Sequence, residues 1–405
     1  MKRRQLLASA ALALPSLAAL GALGSLSGCA APVLRGTGDL GVVIGRANGT
    51  LYLVDTSAQT LIGAVPGLGD LSHASVVFSR DGLYAYVFGR DGGLTQVNLL
   101  EQRISRRVMQ AGNSIGGAIS ADGTLVAAQN YAPGGVKVFN ARTLELVADV
   151  PAEYDPVGAP GKLSRVVGLV DLPGQRFAYS LFDANAIWVT DCSNPKQVTT
   201  LKLENIGKQP YDALVTPNGR HYIAGLFGED GLAMVDLWAK EPKVQRILGG
   251  YGRGEEPLPV YKMPHLRGWT VAGRRAYLPA IGRHEVLVVD TDTWAEVGRI
   301  PVAGQPVFVM ARPDGRQVWV NFSVPDYHRV QVIDTQTQSI VKTLEPGKAV
   351  LHMEFTPRGE AVWISSRDDN RVSIIDTQTL ATRAVLDVPS PSGIFFTARA
   401  ARTGF

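Results

Sequence analysis

Apolar and polar residues alternate along this chain in short runs, and one set of runs stops at an Asp or Asn every 42 to 54 residues. Each of these is followed by a turn and a second run of similar character: YLVDTSAQTLIGAV, TQVNLLEQRISRRV, KVFNARTLELVADV, WVTDCSNPKQVTTL, AMVDLWAKEPKVQRI, LVVDTDTWAEVGRI, QVIDTQTQSIVKTL and SIIDTQTLATRAVL. The stops are Asp55, Asn98, Asn140, Asp191, Asp236, Asp290, Asp334 and Asp376. Between them falls a second mark, a Gly in a tight turn, clearest at Gly82, Gly123, Gly219, Gly315 and Gly359 and less typical at Gly174 and Gly273. The Asp-Gly and Asn-Gly pairs among these supply the positive φ that a hairpin turn requires. Period-two alternation, no helical period and a repeat of this length predict four short strands per unit, a blade. Eight such units predict an all-β, eight-bladed β-propeller over residues 38–400.

Strands a and b of each blade flank the Gly, and strand c ends at the Asp or Asn. Blade one lacks a strand a, because the chain enters at LGVVIGRA and TLYLVDT. The run Gly393-Ile-Phe-Phe-Thr-Ala-Arg399 can supply it from the other end, closing the ring and removing the open edges. Seven blades would leave one full repeat unused.

The first residues follow a different pattern. Lys2, Arg3 and Arg4 precede an apolar run from Leu6 to Leu23, and Leu26-Ser27-Gly28-Cys29 follows. This is the form of a lipoprotein signal, giving a signal peptide over 1–28, lipid on Cys29 and a short linker over 29–37. The expectation is a periplasmic domain held to the outer membrane by that lipid, with Ala30 rather than Asp after the cysteine favouring outer-membrane sorting. An uncleaved anchor or a plain signal peptide is the alternative. Without the three leader cations, 37 of the 40 basic residues face 36 acidic ones, so nothing suggests nucleic acid. With Cys29 lipidated, Cys192 stands alone, and no disulfide is expected. No C-x-x-C-H is present, which excludes a covalent c-type heme.

In a propeller the start of strand a and the d–a and b–c loops share one mouth of the central channel. His73, nine residues before Gly82, and His265, eight before Gly273, occupy that slot in blades two and six, which face each other across the axis. Two opposed imidazoles suit a ligand or metal between them; capping a loop is the alternative for each. Seven to ten residues after the turn glycines lie Arg90, Asn130, Asp183, Arg283 and Arg367, with Arg46 at the matching place in blade one. A rim of arginines would gather a ligand bearing several carboxylates, although any one of them could be a solvated charge. Two long d–a connections fall on the same face, and the first carries Asp155, a candidate proton donor or acceptor or an Asx-turn residue before Pro156. No G-x-S-x-G, H-E-x-x-H or P-loop string occurs.

The segment His73-Ala-Ser-Val-Val-Phe-Ser-Arg-Asp-Gly82-Leu-Tyr-Ala-Tyr-Val-Phe-Gly-Arg90-Asp91 resembles the heme-d1-binding propeller of the periplasmic nitrite reductases. Residues 38–400, including LHMEFTPRGEAVWISSRD and PSGIFFTARA, more closely resemble the NirF family, helpers in heme d1 biosynthesis. The resemblance implies His73 as axial iron ligand, Arg90 as a carboxylate partner and His265 as a distal-side histidine. Where the reductase has Thr-His-Pro, this chain reads Ala311-Arg312-Pro313, which places Arg312 among the ligand contacts and argues against nitrite reduction. In that family a histidine and an aspartate are held to be functional; His73 and Asp155 match. The function so implied is binding of heme d1 or its dihydro precursor at the channel mouth, with a redox or side-chain modification step, possible contact with other heme d1 pathway proteins and nitrite reductase, and oxidoreductase activity unsettled. A non-catalytic carrier of the same tetrapyrrole and a generic surface propeller for protein docking are the alternatives.

Overall fold

The structure, a computed structural model, describes residues 36–402 other than 157, 159 and 252–267. Cys29, the leader and His265 therefore lie outside the described residues. Eight antiparallel four-stranded sheets succeed one another along the chain, as the repeat predicts. Their innermost strands are Ser75–Phe78, Asn113–Ile119, Val166–Leu172, Pro210–Val215, Thr270–Ala272, Pro306–Ala311 and Val350–Phe355 in blades two to eight. In blade one the innermost strand is Pro391–Phe396, paired antiparallel with Leu40–Gly45 through Gly41↔Phe396, Val42↔Phe395 and Val43↔Ile394. The ring thus closes by its C-terminal strand.

The repeated Asp or Asn has a physical reason. Its carboxylate or amide oxygen accepts backbone N–H groups two and three residues on, as Asp55 does from Ser57 and Ala58 at 3.0 and 2.8 Å. Asn98, Asn140, Asp290, Asp334 and Asp376 do the same. The side chain replaces water on donors that the c–d turn would otherwise leave bare. The glycine mark is equally determined: Gly82 has φ +67°. At Gly41, a Cβ would lie 2.6 Å from the Phe396 ring, so the closing strand requires glycine there.

The core consists of apolar layers between blades. Trp319, Trp363, Tyr179 and Phe396 are among its fully buried side chains, and Trp363 meets Phe396 edge-on at 5.4 Å. Cys192 is buried in one such layer, where burial pushes its thiol up to about 11. Beyond the closing strand, the 3₁₀ turn Thr397–Ala401 is tied to blades two and three by Arg80, which donates to the carbonyls of Ala400, Arg402 and Ser120 at 2.8, 2.8 and 2.7 Å. Arg399 of that turn forms a buried double hydrogen bond with the Glu354 carboxylate.

Candidate functional site

Because strands alternate in direction, the d–a and b–c loops lie at one channel mouth and the a–b and c–d turns at the other. His73 is exposed, in the d–a connection two residues before strand a of blade two. Its segment is fixed to the neighbouring b–c loop. The Arg90 N–H donates to the Asp70 carbonyl at 2.8 Å, and the Asp91 carboxylate accepts from the Asp70 N–H and from Arg107 at 3.3 and 2.6 Å. Hydrogen bonds from Ser72 hold the Asp70 carboxyl below the usual carboxylate range, helped by Arg90 and Arg46 nearby.

The Arg90–Asp70 backbone bond is one instance of a pattern. In five blades the residue just past strand b donates its N–H to the carbonyl just before strand a: Arg46 to Ser390, Phe182 to Arg165, Phe227 to Gln209, Ser323 to Gln305 and Arg367 to Ala349, all at 2.8–3.0 Å. In blade two Arg90, two residues past strand b, donates to Asp70, five residues before strand a, at 2.8 Å. These positions are therefore equivalent around the ring. In blades two, four, five, seven and eight they fall eight residues after the turn glycine, and the same count reaches Tyr131 in blade three. One slot thus carries arginine in blades eight, one and two and an aromatic residue in blades three, four and five. The mouth has a cationic arc over blades eight, one and two and, continuing from it, an aromatic arc over blades three, four and five.

Arg46 feels the other two arginines. Partial burial is the largest cause that lowers the Arg46 guanidinium pKa, followed by repulsion from Arg367 and Arg90, with Asp70 opposing. Arg367 is raised by its hydrogen bond to Asp368 at 2.7 Å. In the aromatic arc, the Tyr131 and Tyr211 hydroxyls lie 2.9 Å apart, and Phe182 meets Tyr211 and Phe227 at centroid distances of 5.8 Å. Arg165 covers the Phe182 ring at 4.3 Å while forming a double hydrogen bond with Asp183 at 3.0 and 2.6 Å. In strand a of blade eight, His352 accepts the Ile394 N–H at Nδ1 (3.3 Å) and lies between the rings of Phe308 and Phe395, at 5.9 and 5.4 Å.

Other candidate residues separate from this group. Arg283 is exposed on the 3₁₀ turn Ile281–Arg283 of blade six, away from the arc on blades eight, one and two. Asn130 is buried and paired with Gln110, a structural contact. Asp155 follows the two-residue ribbon strand Glu153–Tyr154, and its Oδ1 accepts the Gly161 N–H at 2.8 Å, a bond that spans the loop. Arg312 requires a correction. It follows the last residue of strand a in blade seven, so it stands at the a–b turn, at the mouth opposite His73, where its Nε donates to the Gly359 carbonyl at 2.9 Å. Matching it to a distal histidine by sequence ignored the direction of the strand.

The aromatic arc and His352 escaped the sequence reading. A fixed count of eight from each glycine finds Tyr131, Phe182 and Phe227; a looser count of seven to ten falls on their neighbours Asn130 and Asp183 instead.

Residues 35–400 match the cytochrome D1 heme domain family. The chain is 61% identical to Protein NirF of Stutzerimonas stutzeri over 95% of its own length and 98% of that protein's. It is 58% identical to Protein NirF of Pseudomonas aeruginosa over 94% and 96%. The solved structure of the dihydro-heme d1 dehydrogenase NirN in complex with DHE superposes with a TM-score of 0.78 at 25% identity, covering 92% of this chain and 78% of that one. A heme-domain match across the whole ring and NirF relatives matched over nearly their full lengths make this chain a member of the NirF family.

Proposed function

We propose that the His73 mouth binds a late tetrapyrrole of the heme d1 pathway, heme d1 or its dihydro precursor, as substrate or cargo. The carrying observation is the division of one structural slot into Arg46, Arg90 and Arg367 on one arc and Tyr131, Phe182 and Phe227 on the other. A planar macrocycle with carboxylates on its edge has those two characters. Its carboxylates would offset the burial and the repulsion from Arg367 and Arg90 that lower the Arg46 pKa, and guanidinium forks bind carboxylates bidentately. Its apolar surface would cover the aromatic arc.

His73 is the residue to ligate the iron. Among the described residues no group of three His, Cys, Asp or Glu side chains is placed to hold a metal; a single exposed imidazole suits an iron already held by four macrocycle nitrogens. Bound there, the tetrapyrrole supplies the iron and the side chains on which a modification would occur. Asp155 is the candidate proton carrier for such a step. Asp155→Asn keeps an acceptor for the Gly161 N–H, so it separates proton transfer from loop support: loss of heme d1 formation with an intact loop supports the enzymatic role. A carrier reading has its own support in that same hydrogen bond, which already gives Asp155 a structural task. Incubating the protein with the precursor decides between them, since only an enzyme changes the spectrum of bound ligand over time. We place the domain in the periplasm with lipid on Cys29, on the strength of the Leu26-Ser27-Gly28-Cys29 sequence.

A further inference from the structure

We infer that the channel mouth opposite His73 holds a second ligand site, one for an organic carboxylate with a flat apolar body. On that side, between the inner strands of blades five to eight and the turn Thr397–Ala401, lies a cavity of about 640 Å³. That is within the usual range of small-molecule sites, roughly 300–1,000 Å³. Leu214, Val215, Trp269, Val271, Met310 and Phe355 give it apolar walls.

Two of its polar groups are donors with hydrogen-bonding capacity to spare. Trp269 is 3% exposed, and its indole N–H has no acceptor; a buried donor left this way favours a ligand that brings an acceptor. The Arg312 side chain is 12% exposed, with Nε on the Gly359 carbonyl and Nη1 3.3 Å from Asp314, while Nη2 engages no described group. Glu354 in the wall is already satisfied by Arg399. An anionic head with acceptor oxygens would meet both the Trp269 indole N–H and the Arg312 guanidinium, and a cationic one would not. No residue of this cavity belongs to the arginine or aromatic arcs of the other mouth, so the site is separate from the tetrapyrrole site and stands or falls independently of it.

The test uses 1-pyrenebutyrate, an aromatic carboxylate whose fluorescence is excited by energy transfer from tryptophan, and its neutral analogue 1-pyrenebutanol. The protein is expected to bind the acid saturably at one site and the alcohol at least tenfold more weakly. Arg312→Gln should weaken the acid about tenfold and leave the alcohol unchanged. Met310→Trp, which fills the cavity, should abolish binding of both, with an unchanged thermal midpoint as the check on folding. His73→Ala should leave the affinity as it was. Equal affinity for acid and alcohol, retained binding in folded Met310→Trp, or loss of binding in His73→Ala would each overturn the inference.

Discussion

At the residue scale, the informative unit is the slot after strand b, where one backbone hydrogen bond recurs with different side chains attached. Arg46→Gln and Arg367→Gln each remove a charge-assisted contact to the proposed ligand, of order 1.5–3 kcal/mol. Each is expected to weaken heme d1 binding at least about tenfold and to flatten its dependence on salt. Arg283→Gln should change affinity little, because Arg283 is exposed on blade six. Titrations at two ionic strengths check all three. The arginine half of this slot was legible in the sequence because its charge drew attention. The aromatic half was not, because Phe182 and Phe227 look like ordinary apolar residues until their backbone hydrogen bonds align them, and Tyr131 joins them only through the count of eight from Gly123. His352 was hidden for another reason. Strand a of blade eight carries a register shift between Val350 and His352, and a bulge breaks the alternation from which side-chain direction is read. Strands a of blades four, five and seven are interrupted in the same way.

At the scale of the element, the turn carboxylates set a pH dependence. The Arg220 side chain, with the Trp238 N–H, holds Asp236 at about 2 against the opposing effect of burial. At Asp122, burial works the other way, but hydrogen bonds from Ser120, Gln175 and Thr124 prevail and also leave it near 2. A carboxyl whose folded pKa is depressed stabilises above its unfolded value, about 3.9, and that contribution is lost as pH falls through the folded value. The thermal midpoint should therefore hold above about pH 4.5 and fall between pH 4 and pH 2. Asp122→Asn should make that fall shallower, as measured by circular dichroism across the range. The two marks that define the repeat, Gly and Asp or Asn, were readable because both are fixed by local turn chemistry rather than by tertiary context. The ribbon Glu153–Tyr154 with Lys162–Leu163 was not, since strands of two residues carry no period.

For the whole molecule, closure is the stabilising event. Phe396 packs against Trp363 in the layer between blades one and eight, and Thr397 donates to the Thr37 and Leu40 carbonyls at 2.6 and 2.8 Å, joining the two ends of the described ring. Removing residues 391–402 would leave Leu40–Gly45 as an open inner edge. The truncated chain is expected to lose its cooperative thermal transition and to aggregate. Phe396→Ala should cost about 3–5 kcal/mol by the usual scale for a buried aromatic, read from denaturant unfolding. Closure was legible because a ring missing one strand at its start and carrying one spare at its end has a single economical solution. The second cavity was not legible, as its walls come from four blades that no local pattern links.

The central claim, that one mouth of this ring takes a heme d1 tetrapyrrole through His73, is tested most directly by a spectral titration of residues 30–405 with heme d1, wild type beside His73→Ala. A tight one-to-one complex with a histidine-ligated spectrum is expected, replaced in the variant by weak binding without that ligation signature. A wild-type chain that binds neither heme d1 nor its dihydro precursor, or a His73→Ala variant with unchanged spectrum and affinity, would contradict it.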